Sequence, residues 1–548
     1  MVDISQSRDS FADIDINDNR NHEEKDLETS HGQEVGSSPT PIENWKPTKH
    51  DLMIMATLST ISLMVSLDAS IIITSLPTLV NDLGGTATQG FWVGTSYLLA
   101  NAVTMPVIAA ISNIFGRPHC LIFALVFFTA GSLLCCLAQN MTVMLVGRSI
   151  QGVGGGGIVI IGLVIFTDMV PLRYRPKWYG TVLGAWAIGT CIGPLIGGLI
   201  VQHTTWRWIF YLMFPFCGIG LVAVPLLLSL EPPKRKLEDK LSRIDWTGAA
   251  LFIGSAGAFL IAISWGGSEY AWRSAATLAP LCVGVAGLFV TVLWEKYRAR
   301  IPFFKHSLFR DWSSVAAYLY GQLYYIPFYF LSVRLFSPTK TGIALFPALF
   351  TLVPASIVVG VLITRTARYR WAIWGGWALL TLGTGLTLLW TPRTPRARWA
   401  ATLVAVGVGH GSVLNAQNFA TQAMCAEGEE GAAAAMYGFV RQLGMALGVG
   451  IGGSAFQNVM RMRLRRRGLD EGIARDAEAF VYRVLAGLPE GEEKAQLEEA
   501  YAFGLRGVFA VYLGISGVAL LLSFVIRHVN MDKQIKSEHQ LRKIRILE

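Results

Sequence analysis

Long apolar stretches recur along the whole chain and are separated by short polar segments. A helix needs about 20 predominantly apolar residues to cross a bilayer. The pattern predicts fourteen spans of this length, of which the seventh, eighth and twelfth are the most diluted by glycine and polar residues. The predicted spans are 53–79, 91–111, 119–138, 141–166, 178–201, 208–230, 246–265, 276–294, 313–333, 342–363, 371–390, 399–421, 432–456 and 505–526. The fold class expected from this pattern is an all-α membrane protein.

Composition agrees with the membrane class. Of 548 residues, 52% are hydrophobic and 15% are charged, whereas soluble proteins carry about 25% charged residues. A net charge of +9 could suit nucleic acid, but the basic residues fall between the spans, where they set topology. We therefore expect no nucleic-acid partner. The seven cysteines lie in or beside apolar stretches and are expected to act as small hydrophobic residues rather than a disulfide framework.

The distribution of Lys and Arg predicts the orientation. With the N-terminus in the cytoplasm, each of the first four inner loops carries basic residues, from Arg117 alone in the first to five in the fourth, while the outer loops of that region hold only Arg207 and Arg273. Basic residues favour the cytoplasmic side, so both termini are predicted to be cytoplasmic. The C-terminal half follows this rule less well, because the basic cluster at 461–467 falls outside on this count.

Arg148 is a permanent cation inside the fourth span, in the stretch "MLVGRSIQGVGGGG". About eight residues into a helix, at about 1.5 Å per residue, it is roughly 12 Å deep in a core about 30 Å thick. A charge at such depth costs about 3 kcal/mol on insertion scales. We expect Arg148 to face a water-filled cavity or a partner; the alternative is a buried ion pair that only holds helices together.

Asp68 is the second charge within a span, in "SLMVSLDASIIITSLP". Burial favours a neutral carboxyl group, whereas a nearby cation favours the carboxylate. A permanent pair with Arg148 would be a fixed dipole, while a pair that breaks and re-forms as the cavity changes sides would carry a proton. The sequence leaves both possibilities open.

Glycines follow Arg148 and recur in the fifth span. Gly189, Gly193 and Gly197 in "GTCIGPLIGG" are spaced by four and share one helical face. Small residues on one face allow close helix contact, and Pro194 removes a backbone hydrogen bond and favours a bend. The stretch predicts either a static packing seam or a sliding surface.

These motifs together resemble the major facilitator superfamily. Arg148, Gln151 and the following glycines resemble its RxxQGxG motif, and "GTCIGPLIGG" resembles its antiporter motif. "LDASIIITSLP" resembles the first-helix motif of the fourteen-helix drug:proton antiporters, and "TTWRWIFYLMFP" resembles the stretch after the antiporter motif in that branch. The likeness extends over about residues 50 to 527 and is greatest to fungal efflux pumps associated with secondary metabolites.

The resemblance implies the major facilitator fold with 14 transmembrane helices, built as two six-helix bundles plus two extra central helices. The implied segments are a disordered cytoplasmic tail over 1–50, a bundle over 51–230, a linker with the extra helices over 231–300, a second bundle over 301–527 with a long loop at 461–504, and a cytoplasmic tail over 528–548.

The resemblance also implies roles for particular residues. Asp68 and Arg148 would form the proton-linked pair on the wall of the central cavity, and Gln151 would orient Arg148. The packing face of the antiporter motif would comprise Gly189, Gly193, Pro194, Gly197 and Gly198.

One motif departs from the family pattern. The loop after the second span reads "AAISNIFGRPH", with Asn113 in place of the family's aspartate, while Gly116 and Arg117 remain. In the family that aspartate is thought to latch the two halves by a charge pair. A neutral amide makes a hydrogen bond of roughly half the strength, so the conformational latch formed by this loop is expected to be altered.

The expected function is secondary active transport, with a proton gradient as the energy source and no cofactor or metal. The substrate would be a bulky hydrophobic small molecule, since the candidate cavity residues are mostly neutral, polar and aromatic. These candidates are Gln322, Tyr325, Asn415, Asn418 and Arg441. We expect a monomer in the plasma membrane, and the alternative is a vacuolar or plasma-membrane carrier of amino acids or other small solutes. An enzyme is disfavoured because the sequence offers no catalytic constellation.

Overall fold

The computed structural model describes most of the chain from residue 45 onward. The described residues are 45–228, 237–266, 270–299, 325–426, 428–474, 477, 481, 485–489, 491–529 and 531. Within these residues the regular structure is helical, and the isolated bridge between Gly266 and Tyr270 is not part of a sheet.

Seven helices make up the first part. They are α1 (Lys49–Asp82), α2 (Ala87–Phe115), α3 (Arg117–Cys136), α4 (Met141–Met169), α5 (Arg175–His203), α6 (Trp208–Tyr211) and α7 (Met213–Leu227). Thr48 begins α1 with a reciprocal capping box to Asp51, which satisfies two backbone donors at the helix start. Gly116 separates α2 from α3 with a φ of 94°, a conformation that side-chain-bearing residues rarely adopt.

The middle of the chain forms a short helix and a helical hairpin. These are α8 (Leu237–Leu241), α9 (Trp246–Trp265) and α10 (Ala275–Tyr297). α9 and α10 pack along each other, and α9 also contacts α2. The positions match the seventh and eighth predicted spans.

Among the described residues from 325 onward, seven further helices are seen. They are α11 (Tyr325–Ser332), α12 (Pro338–Ala344), α13 (Phe346–Thr366), α14 (Arg370–Thr387), α15 (Arg396–Met424), α16 (Glu430–Arg467) and α17 (Glu492–Ser523). Both α16 and α17 extend into the region predicted as a loop at 461–504. Arg463 and Arg467 of α16 pair with Glu499 of α17, so the two helices continue side by side beyond the apolar stretch.

Eleven helices among the described residues are long and apolar enough to cross a membrane. Two more predicted spans, 371–390 and 399–421, coincide largely with the helices α14 and α15. The ninth predicted span, 313–333, falls largely outside the described residues. Its described end forms the helix α11. The chain is thus an all-helical multi-pass membrane protein, and the number of fourteen crossings stays a prediction.

Helix packing defines two bundles and the contact between them. α1 packs against α5, and α4 lies between α2 and α3; in the second bundle α15 packs against α13 and α14, and α17 against α14 and α16. Between the bundles α5 contacts α12, α13 and α15, while α16 contacts α2 and α4. We call the inner end the end where the α2–α3, α4–α5 and α15–α16 connections lie, which is the side predicted to be cytoplasmic.

Candidate functional site

A closed polar cluster joins α1, α3 and α4 in the first bundle. Arg148 Nη1 donates to Asp68 Oδ2 at 2.8 Å and to Gln151 Oε1 at 2.6 Å. Gln151 Nε2 donates to Asp68 Oδ1 at 2.9 Å and to Ser132 Oγ at 2.8 Å. The three residues singled out by the sequence are therefore in mutual contact, although they come from two helices 80 residues apart.

Arg148 is enclosed by the first bundle. Its side chain is 1% exposed, that of Asp68 is 0% exposed, and Arg148 Nε donates to the carbonyl of Val93 at 3.1 Å. The ring of Tyr97 lies 4.3 Å from the guanidinium carbon. The sequence predicts that Arg148 faces a water-filled cavity or a partner. In this conformation partners on α1, α2 and α4 surround the guanidinium, and Arg148 does not line a water-filled cavity.

The enclosure has an energetic consequence. A buried ion pair contributes little net stability, because desolvation offsets the attraction. Removing one partner is costly, about 3–5 kcal/mol, because the remaining charge is left uncompensated. The Asp68–Arg148 pair is thus poised so that any event that neutralises one member, such as protonation of the carboxylate, changes the stability of the whole cluster.

A small cavity lies between the two bundles. It encloses about 20 Å³, room for one water molecule. Its lining comes from α1, α4 and α5 of the first bundle and from Arg441 of α16: Leu58, Ser62, Val159, Gly162, Leu163, Tyr179, Val182, Leu183, Trp186 and Arg441. Sequence reasoning missed Tyr179 and Trp186, whose spacing of seven along α5 was the only available sign of a shared face.

The structure describes four of the five predicted cavity residues, and they lie in different surroundings. Gln322 lies outside the described residues. Tyr325 is buried in the second bundle, where its ring contacts the backbone position of Gly452. Arg441 is the one of the five that lines the described cavity.

Asn415 and Asn418 lie toward the inner end of α15. Asn415 Nδ2 donates to the carbonyls of Pro176 at 3.0 Å and Ser356 at 2.9 Å, and so bridges α5 and α13. Asn418 accepts a hydrogen bond from Gln422 at 3.1 Å. Asn415 thus joins the two bundles in this conformation, whereas the bond of Asn418 lies within α15.

Contacts between the bundles close the inner end. Arg175, at the start of α5, is 3% exposed and donates through Nη1 to Gln422 Oε1 of α15 at 2.8 Å. Its other nitrogens donate to the carbonyls of Thr167 and Val170, which end α4. Arg173 Nε adds a bond to the carbonyl of Thr364 on α13 at 3.2 Å. In the sequence Arg175 is one of the basic inner-loop residues that indicate topology, and no pattern there points to its burial.

The altered latch loop lies at the same end. Arg117 is buried, pairs with Asp168 through Nε at 3.1 Å and donates to Ser112 Oγ at 2.6 Å. A Cβ built on Gly431, in the first turn of α16, would be 3.7 Å from Arg117 Nη2, so the loop sits against the second bundle. Asn113, in the last turn of α2, is exposed.

The glycines of the antiporter motif pack against two different partners. A Cβ on Gly189, Gly193 or Gly197 would lie 2.0–2.3 Å from α1 atoms, so these three let α5 touch α1 directly. Pro194 and Gly198 instead approach α12 of the second bundle, near Gly342 and Thr339. The motif therefore has a face within the first bundle and a second face at the contact between bundles.

The glycine run after Arg148 has a comparable role in α4. Cβ atoms on Gly152 and Gly156 would collide with backbone carbonyls of α2, and one on Gly154 with the backbone of α3. α4 can be sandwiched between α2 and α3 only because these positions have no side chain. The close crossing in turn brings Tyr97 and Val93 of α2 to the Arg148 guanidinium.

Comparisons with known proteins agree with this architecture. Residues 58–449 match the family described as Major Facilitator Superfamily. The chain is 39% identical over 509 residues to "MFS transporter L2" of Phoma sp., covering 90% of this chain and 85% of that protein. It is 32% identical over 537 residues to "Efflux pump FUS6" of Gibberella fujikuroi, covering 94% of this chain and 96% of that protein. The crystal structure of the human organic anion transporter MFSD10 (TETRAN) matches with a TM-score of 0.53 at 16% identity, covering 88% of this chain and 100% of that one, and shows the fold alone.

Proposed function

This chain belongs to the major facilitator superfamily, and from that premise we propose that it exports a bulky hydrophobic small molecule in exchange for protons. The family and the apolar helices make it a multi-pass membrane transporter. Export is supported by the relatives, among which "Efflux pump FUS6" and "MFS efflux transporter aclA" of Aspergillus oryzae share 32% and 33% of their aligned residues with it. The proposed fold is the fourteen-helix variant, with α9 and α10 as the extra pair.

The observation that carries proton coupling is the closed cluster of Asp68, Arg148 and Gln151. Asp68 accepts hydrogen bonds from both of the others and is fully buried. A proton that reaches Asp68 removes the charge that Arg148 neutralises, and the cluster then favours a different arrangement of α1 against α4. Release of the proton on the other side re-forms the pair. The cluster can thereby link the protonation state to the conformation of the first bundle.

Alternating access is supported by the contacts at the inner end. The bonds from Arg175 to Gln422 and from Asn415 to Pro176 join the two bundles there. In transporters of this architecture the halves rock around a site near the midplane, so these bonds have to break when the inner end opens. We propose that they act as the latch in a chain whose loop carries Asn113, while the Arg117–Asp168 pair, which joins α3 to α4 within the first bundle, supports that loop.

The contribution of Asn113 itself can be tested by restoring the charge. An Asn113→Asp variant adds a carboxylate four residues before Arg117 in the sequence and is expected to shift the balance between inner-open and inner-closed states. If the thiols at the inner end react at the same rate in this variant as in the wild type, the contacts of α5 alone would account for closure of the inner end.

The cavity supports a largely apolar cargo. Most of its described wall is aliphatic or aromatic, with Ser62, Tyr179 and Arg441 as polar groups, which is typical of small-molecule sites. In this conformation it holds no more than a water molecule, so cargo would enter when the bundles separate. We propose the plasma membrane as the location. We also propose a monomer, because each polypeptide of this architecture contains a complete central site.

Transport in vesicles tests the function. Metabolite profiles of cells with and without the chain would identify the cargo, and purified protein in liposomes would then move it against its gradient when a pH gradient is imposed. Abolition by a protonophore is the expected result. Transport that proceeds at the same rate without any proton gradient would contradict antiport, and chemical conversion of the cargo without its translocation would point to an enzyme instead.

A further inference from the structure

Arg441, on α16, lines the small cavity between the two bundles. The ring of Trp186, on α5 of the other bundle, lies 5.8 Å from the guanidinium carbon. Ser62 and Tyr179 face the same space, and the rest of the lining is mainly aliphatic. A permanent cation therefore lies on an otherwise neutral wall.

The charge of Arg441 is not compensated in the part of the chain that the structure describes. No carboxylate lies within ion-pair distance of it, and its buried Nε–H meets no acceptor among those residues. Two acids of the first bundle are engaged elsewhere, Asp68 with Arg148 and Asp168 with Arg117. The contact with Trp186 is near the outer limit of about 6 Å for cation–π attraction and compensates the charge only weakly.

Building on the proposed function, we propose that Arg441 binds an anionic group of the cargo, and that the exported molecule is a hydrophobic organic anion such as a carboxylate. A guanidinium forms charge-assisted, often bidentate hydrogen bonds with carboxylates. The aliphatic and aromatic wall suits the apolar body of such a molecule. A neutral cargo leaves the guanidinium unpaired, and a cationic cargo is repelled by it.

The position of Arg441 also links binding to closure. Because Arg441 and Trp186 belong to opposite bundles, separating the bundles exposes the guanidinium to water, and closing them buries it again. An empty carrier has to bury an unpaired charge, which is unfavourable. A carrier with an anion on Arg441 buries a neutral pair, so the anionic cargo favours the closed state through which transport proceeds.

Binding of a matched pair of probes tests this proposal. The full-length protein in lipid nanodiscs would be titrated with 1-pyrenebutyrate and with its methyl ester, which shares the apolar body but lacks the charge, and empty nanodiscs would be subtracted. We expect the wild type to bind the carboxylate about tenfold or more tightly than the ester, the gain typical of a hydrogen bond to a charged group. Arg441→Gln should abolish this preference, and Arg441→Lys should retain part of it.

Arg365→Gln is the matched control, because Arg365 is an exposed arginine at the end of α13. It removes the same charge outside the cavity and should leave the preference unchanged. Wild-type protein that binds the carboxylate no better than the ester, or not at all, would overturn the proposal. So would a correctly folded Arg441→Gln variant that keeps the preference.

Proteoliposome transport of the same probes separates this inference from the proposed function. Proton-driven movement of both probes without any carboxylate preference in binding would leave the exporter standing and remove the anion site. Selective, Arg441-dependent carboxylate binding without proton-driven movement would support the anion site and refute the proposed transport function.

Discussion

Breaking the Asp68–Arg148 pair from one side should produce a large and pH-dependent loss of stability. In Arg148→Met the carboxyl of Asp68 stays in a site with no solvent exposure and loses its cation. It can escape an uncompensated charge by taking up a proton on folding. That costs about 1.4 kcal/mol for each pH unit above the ordinary aspartate pKa of about 3.9, or about 4 kcal/mol at pH 7 and about 1.5 kcal/mol at pH 5.

The sign of this dependence follows from proton binding. Between about pH 4 and pH 7 the folded variant holds one proton more than its unfolded chain, so its stability relative to the wild type falls as pH rises. The value at pH 7 agrees with the 3–5 kcal/mol, roughly, found when one partner of a buried pair is removed. Arg465→Met is the control, because its pair with Glu471 is exposed, at 80% and 45%, and such pairs contribute about 0–1 kcal/mol.

Thermal unfolding can be followed with a thiol-reactive dye, since the described cysteines other than Cys282 are buried in the fold. The informative partner variant is the double substitution Asp68→Asn with Arg148→Met, which removes both charges and keeps an amide near Gln151. We expect it to recover most of the lost stability. If the pair couples protons to movement, the double variant should fold and yet show no proton-driven export.

A double variant that exports at the wild-type rate with an intact dependence on the pH gradient would refute the coupling role and leave only a structural pair. A single variant whose stability loss is equal at pH 5 and pH 7 would refute the argument that the orphaned carboxyl is neutralised by protonation.

Two further predictions concern the helix contacts. Gly193→Ala should destabilise the protein by about 1–3 kcal/mol, because the new methyl group would lie 2.0 Å from a serine hydroxyl oxygen of α1; Gly218→Ala, where nothing lies within 4 Å, is the control and should be neutral or slightly stabilising by the same dye assay. Gln422→Leu removes the acceptor of buried Arg175 and should favour opening of the inner end by about tenfold or more, since bonds to charged groups contribute about 1.5–3 kcal/mol. Faster alkylation of Cys425, which is buried at this end, would show the opening, and an unchanged rate would contradict the latch.

The sequence alone determined that the chain is a helical membrane protein of this family, and it identified the charged cluster. Helix and membrane propensity are local properties, since a run of about 20 apolar residues that no polar segment interrupts has few other stable states. The family resemblance, now confirmed, also selected Asp68, Arg148 and Gln151 from distant positions. Their contact followed from motif knowledge, because no periodicity within either helix points to the other.

The direction in which each side chain faces was decided only by the tertiary structure. Helices that are apolar on every side carry no pattern that fixes their rotation, so the sequence could not tell that Arg148 would be enclosed by the first bundle. The same applies to Asn415, which joins the two bundles, and to Arg175, whose charge is buried by α4 and α15. These outcomes depend on how glycine-lined helices cross and on which distant groups that crossing brings within hydrogen-bond distance, and a one-dimensional pattern does not contain that information.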